Sequence, residues 1–250
     1  MMRSGLFILA GMLSYIFFLL LQFPAQHALS HLAPEDFPLS AGGISGTIWK
    51  GSAKQAFFNG QALGSTDWQF LPLSLVIGQA EYEFGLTDKN EQLHGQVALS
   101  ILSGGVTLSG LKGAIGAQKL AGLIEQPALR LRGILDLNIR ELRLSEQGLT
   151  RANGTVRWSH AMVTSPIQAD LGELQFNITG DDDLVTLQVE DIDGPVKLAG
   201  NLKLKPDGSY QIQGNIKQNA PNAGGFGNIL QNIGRILPDG STQIDYQGQL

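Results

Sequence analysis

His27 and His31 stand four residues apart, a spacing that would put two imidazoles on one helix face as metal ligands. No third ligand or HExxH context accompanies them, so they read as interfacial residues just past an apolar segment. His94 and His160 each stand alone on an alternating apolar pattern, without a serine and carboxylate arrangement in sequence. A triad assembled only in space stays open. Asp181, Asp182 and Asp183, and Asp191 and Asp193 before Gly194, lack the ligand spacing and terminal glutamate of a calcium loop and read as acidic turns. GVTLSGLK (105–112) falls short of a phosphate loop, because Lys112 comes one position late and no serine or threonine follows it. The chain has no cysteine, which removes disulfides, thiolate metal sites and cysteine nucleophiles. The expectation is a protein that is not an enzyme, with no catalytic residue, metal or cofactor.

Charge narrows the partners. With 17 basic and 22 acidic residues the net charge is −5, so no nucleic acid partner is expected. Arg130, Arg132, Arg140, Arg143 and Arg151 form the nearest thing to a basic cluster, but Asp136, Glu141 and Glu146 are interleaved with them. They read as a solvated, mixed-sign sheet face.

The elements that must position these residues begin with one long apolar run, 6–23, broken only by Gly11, Ser14 and Gln22. That is long enough to cross a bilayer as a helix, and longer than the apolar part of a cleaved signal peptide, the alternative reading. Arg3 before the run predicts a cytoplasmic amino terminus and everything from Pro24 onward on the other side of the membrane. The expected organisation is a transmembrane anchor over 1–23, an extended proline-bearing stalk over 24–40 and one β domain over 41–250.

Glycine is abundant (32 residues) without a three-residue period, and apolar residues make up 43%, which favours a turn-rich β protein. From residue 43 onward apolar residues alternate with period two, as in Leu129, Leu131, Leu135, Leu137 and Ile139. VKLAGNLKLKPDGSYQIQGNI (196–216) reads as a hairpin with one apolar and one polar face, turning at PDG. A pattern of apolar, any, apolar, any, glycine recurs six times, placing Gly110, Gly133, Gly180, Gly200, Gly214 and Gly248 in the apolar phase as notches or bulges. Two stretches, 111–124 and 225–237, read as short helices, the second from Ile229, Ile233 and Ile236 closed by Pro238. The predicted fold is mainly β: a long curved antiparallel sheet or partly closed barrel.

GISGTIWKGSA (43–53) supplies Gly46, Thr47, Trp49 and Gly51, with Ala53 after them. A second unit carries Leu63, Gly64, Trp68 and Pro72, and a later echo carries Gly154, Thr155, Trp158, Leu171 and Gly172. With the short amino-terminal anchor and the terminal hairpins ending DYQGQL, these motifs resemble the type II secretion system protein N family over essentially the whole chain. The resemblance implies a bacterial inner-membrane protein of the Gram-negative envelope with a periplasmic β domain. It would belong to the machine that exports folded proteins across the outer membrane. It brings no catalytic residues. Trp49 and Trp68 are expected to close one end of the sheet while their indole N–H groups reach partners.

Two functions fit that frame, and an envelope hydrolase is a third only because a triad can assemble in space. One is a non-catalytic assembly component that positions other type II secretion subunits of the inner membrane and periplasm. The other is a carrier of lipid or another hydrophobic ligand. Both use the apolar set Leu198, Leu202, Leu204, Tyr210, Ile212, Ile244 and Tyr246, which alternation sends to one face. Too few helical residues exist to cover such a face, so it must fold on itself, bind a partner or bind lipid.

Overall fold

A computed structural model of the chain describes residues 2–32, 38–119, 130–145, 147–165, 168–181, 184–219, 230 and 234–249. It opens with helix α1 (Met2–Leu21) and helix α2 (Ala25–Leu32). Strands β1 (Leu39–Gly46), β2 (Lys50–Phe58) and β3 (Gln61–Leu71) follow, then a 3₁₀ helix (Pro72–Ile77). Next come β4 (Gln79–Asp88), β5 (Glu91–Ser100), β6 (Val106–Gly116), β7 (Arg130–Ser145), β8 (Gly148–Ser165) and β9 (Ala169–Asp181). The chain ends with β10 (Leu184–Asp193), β11 (Val196–Leu204), β12 (Ser209–Gln218), β13 (Arg235–Ile236) and β14 (Thr242–Gln249).

All fourteen strands form one antiparallel sheet in which neighbours in sequence are neighbours in space, save that β14 lies against β12 and β13 beyond it. The sheet is open, so the barrel alternative is not adopted. Closure would require β1 to pair with β13, and a two-residue strand offers almost no ladder. The sheet does curl. A Cβ at Gly148 in β8 would stand 2.8 Å from the Pro206 carbonyl in the β11–β12 turn. Two strands lie between them; in a flat sheet β8 and β11 would be about 14 Å apart.

Cross-strand register converts alternation into a continuous face. Ile44, Ala53, Thr66, Leu86, Leu93, Gly113, Leu137, Val156, Phe176, Val189, Gly200, Gly214 and Ile244 are successive partners from β1 to β14. Along β7, Leu131, Leu135 and Ile139 are buried while Arg132, Asp136 and Arg140 point to solvent, as period two requires.

Four expectations need correction or limits. The extended stalk instead holds α2, because AQHALSHL contains helix formers and no glycine, and Pro24 precedes it where a missing N–H costs nothing. Residues 111–116 of the first predicted helix belong to β6, where Leu111, Gly113 and Ile115 pair with Ile139, Leu137 and Leu135 of β7; glycine weakens a helix and the ladder supplies the missing packing. Only 117–119 are helical there, and 120–124 lie outside the described residues. Of 225–237, Ile229 and Ile233 also lie outside them, Leu230 is helical and buried, and Ile236 is part of β13.

Among the described residues no helix is long and apolar enough to cross a membrane. Helix α1 runs over 20 residues, but its side chains are described only for 11–16 and 18–21, a stretch shorter than a span.

The six repeated glycines divide into two kinds. Gly110 and Gly133 have φ of +59° and +108° and sit where the ladder shifts register. Gly180, Gly200, Gly214 and Gly248 lie on the apolar face. Gly200 and Gly214 are partners, and a Cβ on Gly200 would come 2.9 Å from the Gln213 carbonyl.

Candidate functional site

The turn between β1 and β2 is where the sheet meets α1. Thr47 organises it: its hydroxyl accepts the backbone N–H groups of Trp49 (3.3 Å) and Lys50 (3.2 Å), and its own N–H donates to the Lys50 carbonyl at 2.9 Å. Gly46 has φ of +88°, which a side chain would strain. The turn is then tied to the chain leaving α1, since Thr47 bridges Pro24 and the Ile48 N–H donates to the Phe23 carbonyl at 3.1 Å.

Both tryptophans complete this junction. Trp49 Nε1 donates to the Leu20 carbonyl at 2.7 Å, in the last turn of α1, where carbonyls lack helical partners. Trp68 Nε1 donates to the Thr47 carbonyl at 3.1 Å. The Trp68 ring lies across its partner Gly51, where a Cβ would stand 2.9 Å from Cε2, so only glycine fits beneath it. Trp49 meets Phe70 edge to face at 4.9 Å between centroids, and Phe70 in turn lies 5.1 Å from Tyr82. Burial holds the Tyr82 phenol above its usual pKa. Pro72 starts the 3₁₀ helix directly after Phe70 and Leu71. Gly46, Thr47, Trp49, Gly51, Trp68 and Pro72 therefore gather at one end of the sheet. Gly64 does not: it sits toward the other end of β3 with φ of +113°, where a Cβ would clash with the Thr87 carbonyl and stand 2.6 Å from Asp88 Cβ.

The apolar face is covered unequally. At the end away from α1, Leu131, Leu135, Trp158, Leu174, Val196 and Ile216 form a buried cluster, reached from outside the strands by Ala117 and Leu230. Trp158 Nε1 is satisfied there by the Arg132 carbonyl at 2.9 Å. Register joins Leu202 to Ile212 and Ile212 to Tyr246, and Leu204 to Tyr210, so the seven-residue set does share one face. Leu198, Leu202, Leu204, Tyr210 and Ile244 are half-buried, while Ile212 and Tyr246 are 39% and 54% exposed.

Lys119 escaped sequence reasoning. It is 8% exposed, just beyond β6, and its ammonium reaches Asp88 at 2.9 Å, Glu91 at 2.5 Å and the Leu63 carbonyl at 3.3 Å. These partners come from β3, β4 and β5, and no local motif announces them. Burial alone would lower the Lys119 pKa, but the bonds to Asp88 and Glu91 outweigh it and raise the value. The hydrogen bond from Lys119 lowers that of Asp88.

The candidate chemical groups stay apart. His27 is exposed on α2, while the side chain of His31 lies outside the described residues. His94 and His160 are exposed on β5 and β8, the latter with φ of +52° in a register shift beside Ala161. Asp181 pairs with Arg151 at 2.8 Å, and Asp182 and Asp183 lie outside the described residues. Asp191 accepts Lys197 at 2.9 Å and the Leu198 N–H at 2.8 Å. Its partial burial opposes ionisation, yet these bonds lower its pKa. Residues 105–112 are mostly β6 strand, not a phosphate-binding turn. Among the described residues no three His, Cys, Asp or Glu side chains cluster as a metal site.

An open, one-faced β-sheet tied by the Trp49 indole to a preceding apolar helix, with the Trp68 indole bracing the same turn, is the class of protein that this geometry defines. The model of the family "Type II secretion system (T2SS), protein N" matches residues 38–245, and the chain belongs to that family. It is 32% identical to the type II secretion system protein N of Vibrio cholerae serotype O1, over 91% of each chain. It is 31% identical to that of Klebsiella pneumoniae over 83% of this chain and 81% of the relative, and 22% identical to that of Aeromonas hydrophila over 96% of each. No solved structure matches.

Proposed function

We propose that this chain is a non-catalytic, single-pass inner-membrane component of the type II secretion machinery, whose periplasmic sheet positions other subunits. Family membership supports the system. The anchor is supported by α1, whose 20 residues span about 30 Å, the thickness of a bilayer core. Leu13, Tyr15 and Leu19 are exposed on it. Arg3 before the apolar run favours a cytoplasmic amino terminus.

The observation that carries the scaffold role is the uncovered part of the apolar face. Ile212 and Tyr246 stand in solvent at the end of a row that is otherwise buried or half-buried. A face of this kind fits a protein partner laid against β12 and β14. The test is a full-length chain carrying an alkaline phosphatase reporter after Leu39, together with lipid extraction of the chain's β domain. The expected result is an active reporter and no stoichiometric phospholipid. An inactive reporter would overturn the location, and bound phospholipid would overturn the scaffold role.

A further inference from the structure

The antiparallel order sends alternate connections to opposite ends of the sheet, and those at the α1 end of β1–β6 differ in kind from the rest. The 3₁₀ helix between β3 and β4 exposes Leu73 (83%), Val76 (85%) and Ile77, and the β5–β6 turn exposes Ile101 and Leu102 (91%). Residues 72–78 and 100–105 contain no charged side chain. At the opposite end of the same strands the connections are Asn59-Gly60 and Asp88-Lys89-Asn90-Glu91. Composition alone does not explain this polarity, since both sets of turns link the same strands.

We propose that these two apolar tips insert into the surface of the membrane that α1 spans, so that the sheet stands on the bilayer. The proposal rests on the reading of α1 as an anchor and adds a second contact to it. Three observations favour lipid over a protein partner. The tips lie at the end where Trp49 bonds to Leu20 and Phe23 bonds to Ile48, so chain continuity holds them beside the point at which α1 leaves the membrane. Trp49 itself lies where an amphipathic ring favours the headgroup layer. Part of the tips' backbone is also bonded internally. Gly78 N–H donates to the Leu75 carbonyl, Ile101 N–H to Gly78, Ser100 N–H to Gly105 and Gly104 N–H to Ser100, all at 2.9–3.0 Å. The Ser103 hydroxyl and N–H both find Ser100 Oγ, at 2.8 and 3.2 Å. Internally bonded turns can enter the apolar boundary to a depth of about 5–10 Å without stranding polar groups.

The absence of cysteine makes the test direct. Single variants Val76→Cys, Leu102→Cys, Lys89→Cys and Ile16→Cys of the full chain carry an environment-sensitive fluorophore in vesicles of phosphatidylethanolamine and phosphatidylglycerol. Labels at 76 and 102 should shift to the blue and lose most of their intensity to a doxyl-labelled phospholipid, while 89 responds only to an aqueous quencher. Lipid quenching at 16 with aqueous exposure at 76 and 102 would overturn the tip contact and leave the anchor standing. Aqueous exposure at 16 would overturn the anchor first. Tip labels reached by neither quencher would mean that a protein covers them, and would also overturn the proposal.

Discussion

The two ends of the sheet are built from the same alternating strands and meet different fates. Away from α1, Trp158, Leu135, Leu174 and Val196 are enclosed because Ala117 and Leu230 fold over them. Toward α1, Ile212, Tyr246 and the tips at Leu73 and Leu102 stay open. Alternation therefore decides which face is apolar, and the connections decide whether it is covered. Coverage separates the part of the face that stabilises the fold from the part available to others.

The largest test of this contrast compares Trp158→Ala with Tyr246→Ala in denaturant unfolding of the solubilised full chain. Removing the buried indole should cost about 3–5 kcal/mol, whereas the exposed ring should matter by less than about 0.5 kcal/mol. Equal losses would mean that Tyr246 is covered as well. Gly200→Val comes next. Its side chain would meet the Gln213 carbonyl, so a loss of about 1–3 kcal/mol is expected, read as a melting temperature lower by about 2–4 °C per kcal/mol. An unchanged melting temperature would make that glycine an accident of composition.

The contact of Lys119 with Asp88 sharpens the comparison through pH. The Asp88 pKa is lowered on folding, so its contribution is complete above the ordinary carboxylate range and fades as pH falls through the depressed value. The Lys119 pKa is raised, so its contribution is complete below the ordinary lysine range and fades as pH rises through the raised value. Asp88→Asn should therefore flatten the acid limb of the stability profile, followed by circular dichroism, and an unaltered limb would count against the contact. Trp49→Phe is smaller still. It keeps the ring against Phe70 but deletes the bond to Leu20, and about 1 kcal/mol of stability should be lost.

Much of the fold was legible in the sequence because period two is a local property. Leu131, Leu135 and Ile139 announced their face without reference to any distant residue, and the shared face of the apolar set from Leu198 to Tyr246 followed in the same way. The junction was legible only in part: tryptophans at 49 and 68 suggested rings at one end of the sheet with bonded N–H groups, but nothing local announced that Trp49 reaches Leu20 of α1. Lys119 was not, because its partners are brought to it only by the curl of β3–β6. Residues 111–116 were misread for a related reason: small apolar residues suit a helix or a strand, and β7 supplied the deciding ladder. The exposure of Val76 and Leu102 also escaped the pattern, which marks apolar positions but not what lies over them.

The central claim is that the open part of the face is where other secretion subunits bind, and in-cell photocrosslinking tests it most directly. A photoreactive residue placed at Ile212 or Tyr246 of the full-length chain should crosslink to inner-membrane or periplasmic subunits of the type II secretion system. The same probe at Trp158, under the cluster that Leu230 closes, should yield only intramolecular products. Absence of protein crosslinks at Ile212 and Tyr246, with phospholipid adducts in their place, would contradict the account.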